Sequence, residues 1–253
     1  MSAIQYDERI RGVLDRIRNT QFGKIQEAGA LFASAIAARR AVYLFGSGHS
    51  VIPVMDVFPR YGSFVGFVPL CDPRLMWWNV VGPGGARELL WLERKEGYVE
   101  VFLQSFPLGE GDALLVFSHG GLNAAPIEAA LYARSRRLKV VTVSSLANAE
   151  VAKASHSSGK RLSDLADVTI DNCVPSEDAL VDVGRKEKLA AGSTIAAVYV
   201  AMALVAETGA RLVERGFEPA TFVSPNVSGA ETDHNQKVFE AHARRLRDRA
   251  ARD

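Results

Sequence analysis

Five short apolar runs, set among segments with helical spacing, restrict this chain more than anything else in it. They are Ala41-Val42-Tyr43-Leu44-Phe45, Phe64-Val65-Gly66-Phe67-Val68-Pro69-Leu70, Asp112-Ala113-Leu114-Leu115-Val116-Phe117, Lys139-Val140-Val141-Thr142-Val143 and Val168-Thr169-Ile170-Asp171. Short, nearly continuous apolar runs of this kind are what strands buried on both faces look like. Alternation of such strands with helices predicts an α/β fold: a three-layer, doubly wound, five-stranded parallel sheet with right-handed crossovers. No internal repeat or low-complexity tract interrupts the pattern.

The helical segments fill in the rest. Ile10, Val13, Leu14 and Ile17 share one face of residues 4–18, and Ile25, Ala28, Leu31, Phe32 and Ile36 share one face of residues 24–39. Together they predict a helical hairpin over residues 1–40, ahead of a sheet core with C-terminal helices over 41–253. Further helices are expected over 51–60, over 86–106 with a break near Gly97, over 126–137 with Pro126 in its first turn, and over 192–214. A charged helix ending in Arg244-Arg245-Leu246-Arg247 closes the chain. At 253 residues one domain accommodates all of this and buries a substantial core.

Charge excludes two partner classes. With 30 Lys+Arg against 29 Asp+Glu, nothing points to nucleic acid or an anionic membrane surface. Two cysteines, Cys71 and Cys173, make no disulfide framework and suit a reducing cytosol. Residues 1–18 are charged throughout, unlike a secretory signal, and the longest apolar run, Ile195 to Ala206, reads as a buried helix. The expectation is a soluble, cytoplasmic protein. Its histidines lack metal-ligand spacing, so no metal is expected, and no cofactor is expected either.

Two strand ends carry chemistry. The first apolar run passes into Gly46-Ser47-Gly48-His49-Ser50, and the third into Ser118-His119-Gly120-Gly121-Leu122-Asn123. Glycines allow a sharp turn and close backbone approach to a ligand, while hydroxyls and the free N–H groups of a helix start favour an anion. The first turn is not a dinucleotide fingerprint, which would need glycine at Val51, nor a Walker loop, since no Gly-Lys-Ser/Thr follows. Ligands of open α/β sheets bind outside the carboxyl ends of the strands, where strand order reverses. Two such turns facing one crevice make a small-molecule site. The fourth run ends in Ser144-Ser145, at the same edge. Trp77 and Trp78 lie in the loop after the second run, as subunit packing or as a sugar-stacking platform.

At these residues the chain resembles the sugar isomerase (SIS) domain family. The strongest stretches are Leu44-Phe45-Gly46-Ser47-Gly48-His49-Ser50 and Leu92-Glu93-Arg94-Lys95-Glu96-Gly97-Tyr98, then His156-Ser157-Ser158-Gly159-Lys160-Arg161-Leu162 with Asp164-Leu165-Ala166-Asp167-Val168. Ser193-Thr194 and Asn226-Val227-Ser228-Gly229 add to them. The chain is most similar to the bacterial branch related to phosphoheptose isomerase and N-acetylmuramic acid 6-phosphate etherase. The resemblance implies a flavodoxin-like sheet, an anionic sugar as ligand, and a homodimer or homotetramer whose subunits share pocket residues. One departure bears on chemistry. The family's second turn typically reads Ser-x-Ser-Gly-x-Thr, whereas here Gly120 and Asn123 stand in place of the second Ser and the Thr. A charge-assisted hydrogen bond contributes about 1.5–3 kcal/mol, so the anion is held differently or is differently shaped, a sulfonate for example.

Moving a proton between adjacent sugar carbons needs a base, and opening the ring needs an acid. The resemblance makes Glu93 the first candidate for base, with Asp72, Glu88 and Asp56 as rivals. His49, His156, Lys160 and His234 are the candidates for acid or for binding the oxygens. Gly46, Ser47, Gly48, Ser50, Ser118, His119, Gly120, Gly121, Asn123, Ser144, Ser193 and Asn226 are the candidate anion- and sugar-binding set. Each has a plainer alternative: a solvated helix charge for Glu93, a helix cap for His49 and Ser193, a surface loop for His156 and Lys160. A catalytically silent sugar-phosphate sensor and a lyase using the same carboxylate are the competing functions.

Overall fold

The computed structural model describes residues 2–77, 79–226, 229 and 231–250. The chain opens with one helix, α1 (Ser2–Ala37), followed by β1 (Val42–Gly46), α2 (Val51–Val57) and β2 (Phe67–Pro69). Then come α3 (Ala86–Leu92), α4 (Tyr98–Leu103), β3 (Ala113–Phe117), α5 (Ala124–Ser135), β4 (Lys139–Ser144), α6 (Leu146–Val151) and β5 (Val168–Asp171). A two-stranded ribbon of β6 (Ala179–Val181) and β7 (Leu189–Ala191) precedes α7 (Ser193–Glu214) and α8 (His234–Ala250).

β1 to β5 form one sheet in the order β2-β1-β3-β4-β5, every neighbouring pair parallel. This is the flavodoxin-like order, with its switch point between β1 and β3. Because side chains alternate along a strand, each strand feeds two cores. Val42, Leu44, Leu115 and Val141 pack with α1, α2 and α7 on one face. Tyr43, Phe45, Leu114, Val116 and Val140 pack with α3, α4 and α5 on the other. The expected three layers are present.

The N-terminal hairpin is not. Residues 19–23 stay helical, so α1 runs unbroken for 36 residues. Polar residues between the two apolar faces have a tertiary use. The Gln21 side-chain oxygen accepts the Asp171 N–H at 3.0 Å, and the Thr20 hydroxyl donates to the Arg16 carbonyl at 2.7 Å while lying 3.9 Å from the Cys173 sulfur. The second strand is also shorter than its apolar run. Gly66 has φ +147°, and Phe64 and Val65 leave the sheet to pair with the segment around Thr221.

α7 is long and apolar enough to cross a bilayer by length and composition. It packs along α1 instead, with Ala196, Val200, Ala201, Leu204 and Leu212 buried in the first core. The break near Gly97 falls as expected: Gly97 sits at φ +87° between α3 and α4. The ribbon of β6 and β7 was not anticipated.

Candidate functional site at the carboxyl edge of the sheet

β1 and β3 lie side by side with Gly46 level with Phe117, so their two glycine-bearing turns emerge together at the switch point. The first turn is compact because Gly46 has no side chain. A Cβ there would lie 2.2 Å from the Ser50 carbonyl oxygen. Ser50 N–H donates to the Ser47 carbonyl at 3.1 Å, closing a 3₁₀ turn over Gly48–Ser50 that leads into α2.

This turn sends its side chains to opposite sides. His49 and Ser50 face a crevice that is also lined by Ser118, His119, Asn172 and Thr194. The crevice is narrow, with about 20 Å³ of free volume, room for one water-sized group. Ser47 turns the other way, and its hydroxyl donates to Glu93 Oε2 at 3.1 Å. Glu93 follows the last turn of α3 and is 8% exposed. Its backbone carbonyl accepts the Ala125 N–H at 3.0 Å, at the start of α5. One residue therefore ties the turn after β1 to the helix that follows the turn after β3. Gly48, at φ +59°, leaves the approach open: a Cβ there would lie 3.9 Å from Glu93 Oε2.

Burial raises the Glu93 pKa above the ordinary glutamate range, only partly offset by the Ser47 hydrogen bond and by Arg94, whose Nη1 lies 3.4 Å away. A desolvated carboxylate with an elevated pKa is a better base than a solvated one. The rival carboxylates are engaged elsewhere. Asp72 is 4% exposed; burial would raise its pKa, but hydrogen bonds from Arg74 and Tyr98 prevail and hold it below the usual range. Asp56 pairs with Arg60 at 2.6 Å, and Glu88 accepts the Gly84 N–H at 2.8 Å.

In the second turn the Ser118 hydroxyl accepts the Gly121 N–H at 3.1 Å. Gly121 has φ +61°, and a Cβ there would lie 3.2 Å from Leu162 Cβ and 3.6 Å from Ser144 Cβ. Ser144 is thus buried beneath the turn. Gly120 and Asn123 are half-buried, and Asn123 stands at the N-cap position of α5 without a side-chain capping bond. The Asn172 amide lies 3.3 Å from His119 Nδ1, and the Ser176 carbonyl lies 3.4 Å from Nε2. An amide donating to Nδ1 leaves the proton on Nε2, so this pair fixes one tautomer. His49 is exposed and its ring lies against Trp77, centroids 4.1 Å apart.

The other candidates, Ser193 apart, lie away from the crevice. The Ser193 hydroxyl donates to Asp178 at 2.8 Å, and Asp178 also accepts the Gly192 and Ser193 N–H groups. A carboxylate of the protein thus occupies the start of α7, and Ser193 serves that cap although its residue borders the crevice. His156 sits between Glu96 and Glu128, 3.7 and 3.9 Å from their carboxylates, beside α4 and α5. Its loop turns back on itself through Ser158, with Lys160 exposed at the far side. His234 opens α8 with Nε2 2.8 Å from the Thr221 carbonyl. Asn226 is exposed, its N–H donating to Ser224. Trp78, Val227 and Ser228 lie outside the described residues.

Two residues had not been singled out. Asn172, 2% exposed, follows β5 and orients His119. Asn148, in α6, donates to the Ser176 carbonyl at 3.0 Å. Its buried Oδ1 has no hydrogen-bond partner among the described residues and would lie 3.7 Å from a Cβ at Gly120. The carboxyl-edge rule that picked out the first and third strand ends, applied equally to the fifth, points to Asn172.

Comparison with known proteins agrees with this fold. The family model described as SIS domain matches residues 5–145. A UPF0309 protein of Caldanaerobacter subterraneus subsp. tengcongensis is 32% identical over 246 residues, covering 96% of this chain and 98% of the relative. A UPF0309 protein of Streptomyces coelicolor is 32% identical over 237 residues, 92% of each chain. Among solved structures, phosphoheptose isomerase of Neisseria gonorrhoeae superposes with a TM-score of 0.54 at 15% identity, covering 82% of this chain and 96% of that one. Phosphoheptose isomerase of Francisella tularensis gives 0.53 at 14% identity, covering 81% and 95%. At these identities the two structures speak to the fold.

Proposed function

The chain belongs to the SIS domain family, and from that premise we propose that it is a cofactor-independent aldose–ketose isomerase acting in the cytosol on a phosphorylated or otherwise anionic sugar. The observation that carries this reading is the buried Glu93 carboxylate held by Ser47 at the switch point. In this reaction Glu93 takes the proton from C2 of the open-chain aldose, and the same proton, or one from solvent, returns to C1 of the enediol. As the C2–H bond breaks and the C1=C2 bond forms, O1 gains a proton. As O2 gives up its proton and C2=O forms, C1 gains one, so the sugar is isomerised with no net gain or loss of atoms or electrons. His49 serves the sugar oxygens in this reading, which its exposure at the mouth beside Trp77 supports. The sugar lies across the rim above Gly48, with its anion toward the turn of Ser118 to Asn123. Asn148 Oδ1 offers an acceptor for a sugar hydroxyl.

A crevice of about 20 Å³ falls far below the roughly 300–1,000 Å³ of ordinary ligand pockets. This supports a site whose outer wall comes from a second copy of the chain. The apolar residues Val80, Val81, Leu90 and Trp91, on α3 and the loop before it, are exposed and suit such a partner.

The test is proton exchange. The protein is incubated in D₂O with a panel of aldose and ketose phosphates and sulfonates, followed by NMR. Interconversion with deuterium at C1 or C2 is the expected result. β-Elimination would assign a lyase instead, and binding with neither outcome would assign a sensor.

A further inference from the structure

At the amino end of the sheet, opposite the crevice, a pocket of about 230 Å³ is lined by four arginines: Arg39 after α1, and Arg244, Arg245 and Arg249 on the last turns of α8. Its apolar wall is Val65, Phe217, Pro219 and Ala220. Arg249 is 4% exposed in its side chain and pairs with buried Asp112 at 2.5 Å, yet its buried Nε–H has no hydrogen-bond partner among the described residues. Arg245 donates through Nη2 to the carbonyls of Ile36 (3.1 Å) and Arg40, at the C-terminal end of α1, and its own buried Nε–H is likewise without a partner among them. Burial, then the neighbouring charges of Arg249 and Arg39, push the Arg245 pKa down to about 10, so the guanidinium is still charged at neutral pH.

Cationic charge is therefore gathered here, exposed at Arg39 and Arg244 and desolvated at Arg245 and Arg249, whose Nε–H groups lack acceptors among the described residues. Glu218 and Asp248, also on the lining, are exposed and form no ion pair with these arginines among the described residues. Buried donors without acceptors are costly, and guanidinium forks match carboxylate and phosphate oxygens. We propose that this pocket is a second ligand site, separate from the carboxyl-edge crevice, that takes a small organic oxyanion: a phosphate or carboxylate group on an apolar body. The oxyanion sits against Arg39, Arg244 and Arg245, and the apolar body against Phe217 and Pro219. Bound there, it clamps the end of α8 to the end of α1 and stabilises the native state by mass action.

The full-length protein is titrated with phenyl phosphate and with inorganic phosphate, followed by calorimetry and thermal unfolding. Saturable binding of phenyl phosphate is expected, tighter than that of inorganic phosphate and accompanied by a rise in Tm. Arg245→Gln weakens it at least tenfold, and so does the double variant Arg39→Gln/Arg244→Gln, which changes only exposed side chains and so decides the matter if Arg245→Gln does not fold. Ser50→Ala, at the crevice, leaves it unchanged. Absence of saturable binding, binding that survives the double variant, or loss of binding in Ser50→Ala would each overturn the proposal.

Discussion

The Ser47 hydroxyl donates to the Glu93 carboxylate across 3.1 Å, joining the end of β1 to the end of α3 over the switch point of the sheet. Burial raises the pKa of that carboxyl, and the bond tempers the rise by favouring the charged form.

Glu93→Gln keeps the size and an acceptor for Ser47 but removes the base. A fall in kcat of about 10²–10⁴ is expected from loss of a general base, measured on whichever sugar gives turnover. Stability moves the other way. The native pKa is raised, so between the unfolded glutamate value of about 4.3 and the native value the folded chain binds more protons than the unfolded one. Wild-type stability therefore declines as pH rises through that window and levels off above it. The variant lacks this decline and is at least as stable as wild type at neutral pH, as denaturant titrations across pH would show.

Ser47→Ala deletes the one hydroxyl that counteracts burial of Glu93. The acid limb of kcat/KM is expected to move to higher pH, with an optimum about 10- to 150-fold lower, as befits a lost hydrogen bond to a charged group of about 1.5–3 kcal/mol. A pH–rate profile with an unmoved acid limb would take Glu93 out of the role of base.

Gly46→Ala tests the first turn itself. A Cβ 2.2 Å from the Ser50 carbonyl oxygen and 2.6 Å from its carbon meets backbone, which cannot swing aside as a side chain can. A loss of about 1–3 kcal/mol is expected from overpacking, with activity falling further because Ser47 and Ser50 move. Urea unfolding and kinetics on one preparation separate the two effects.

Asp112 and Arg249 anchor the chain's last helix to the sheet. Asp112 also accepts the Ala41 and Gly109 N–H groups, and Arg249 donates to the Pro107 carbonyl. Arg249→Met leaves a buried carboxylate without its partner and is expected to cost about 3–5 kcal/mol. Asp112→Asn/Arg249→Met together should cost less than the two single changes summed, which a double-mutant cycle measures.

The strands and their layers were legible because burial on both faces leaves an apolar run that needs no tertiary information to recognise. The break at Gly97 was legible for a local reason too, a positive φ at a glycine. The N-terminal hairpin was misread because the apolar faces of residues 4–18 and 24–39 read as two helices, while the residues between them, Thr20 and Gln21 included, stay helical and reach the segment around β5, which is distant in sequence. The same holds at the site. Glu93 and Ser47 are 46 residues apart and meet only because α3 returns to β1. The placements of His156 beside Glu128 and of His234 at Thr221 depend on the direction their loops take, which residue type does not encode. Asp178, which holds the start of α7, lies just before an unforeseen ribbon strand and was invisible for that reason.

The central claim, that the edge between β1 and β3 holds an anionic sugar against Glu93, is tested most directly by a crystal structure of the protein soaked with a ketose phosphate that it turns over. The predicted result is a Glu93 carboxylate oxygen about 3–3.5 Å from C1 or C2 of the open-chain sugar, the separation of a near-attack geometry, with the phosphate at the turn of Ser118 to Asn123. A sugar seated with its reacting carbons beyond reach of Glu93, or bound at another edge of the sheet, would contradict it.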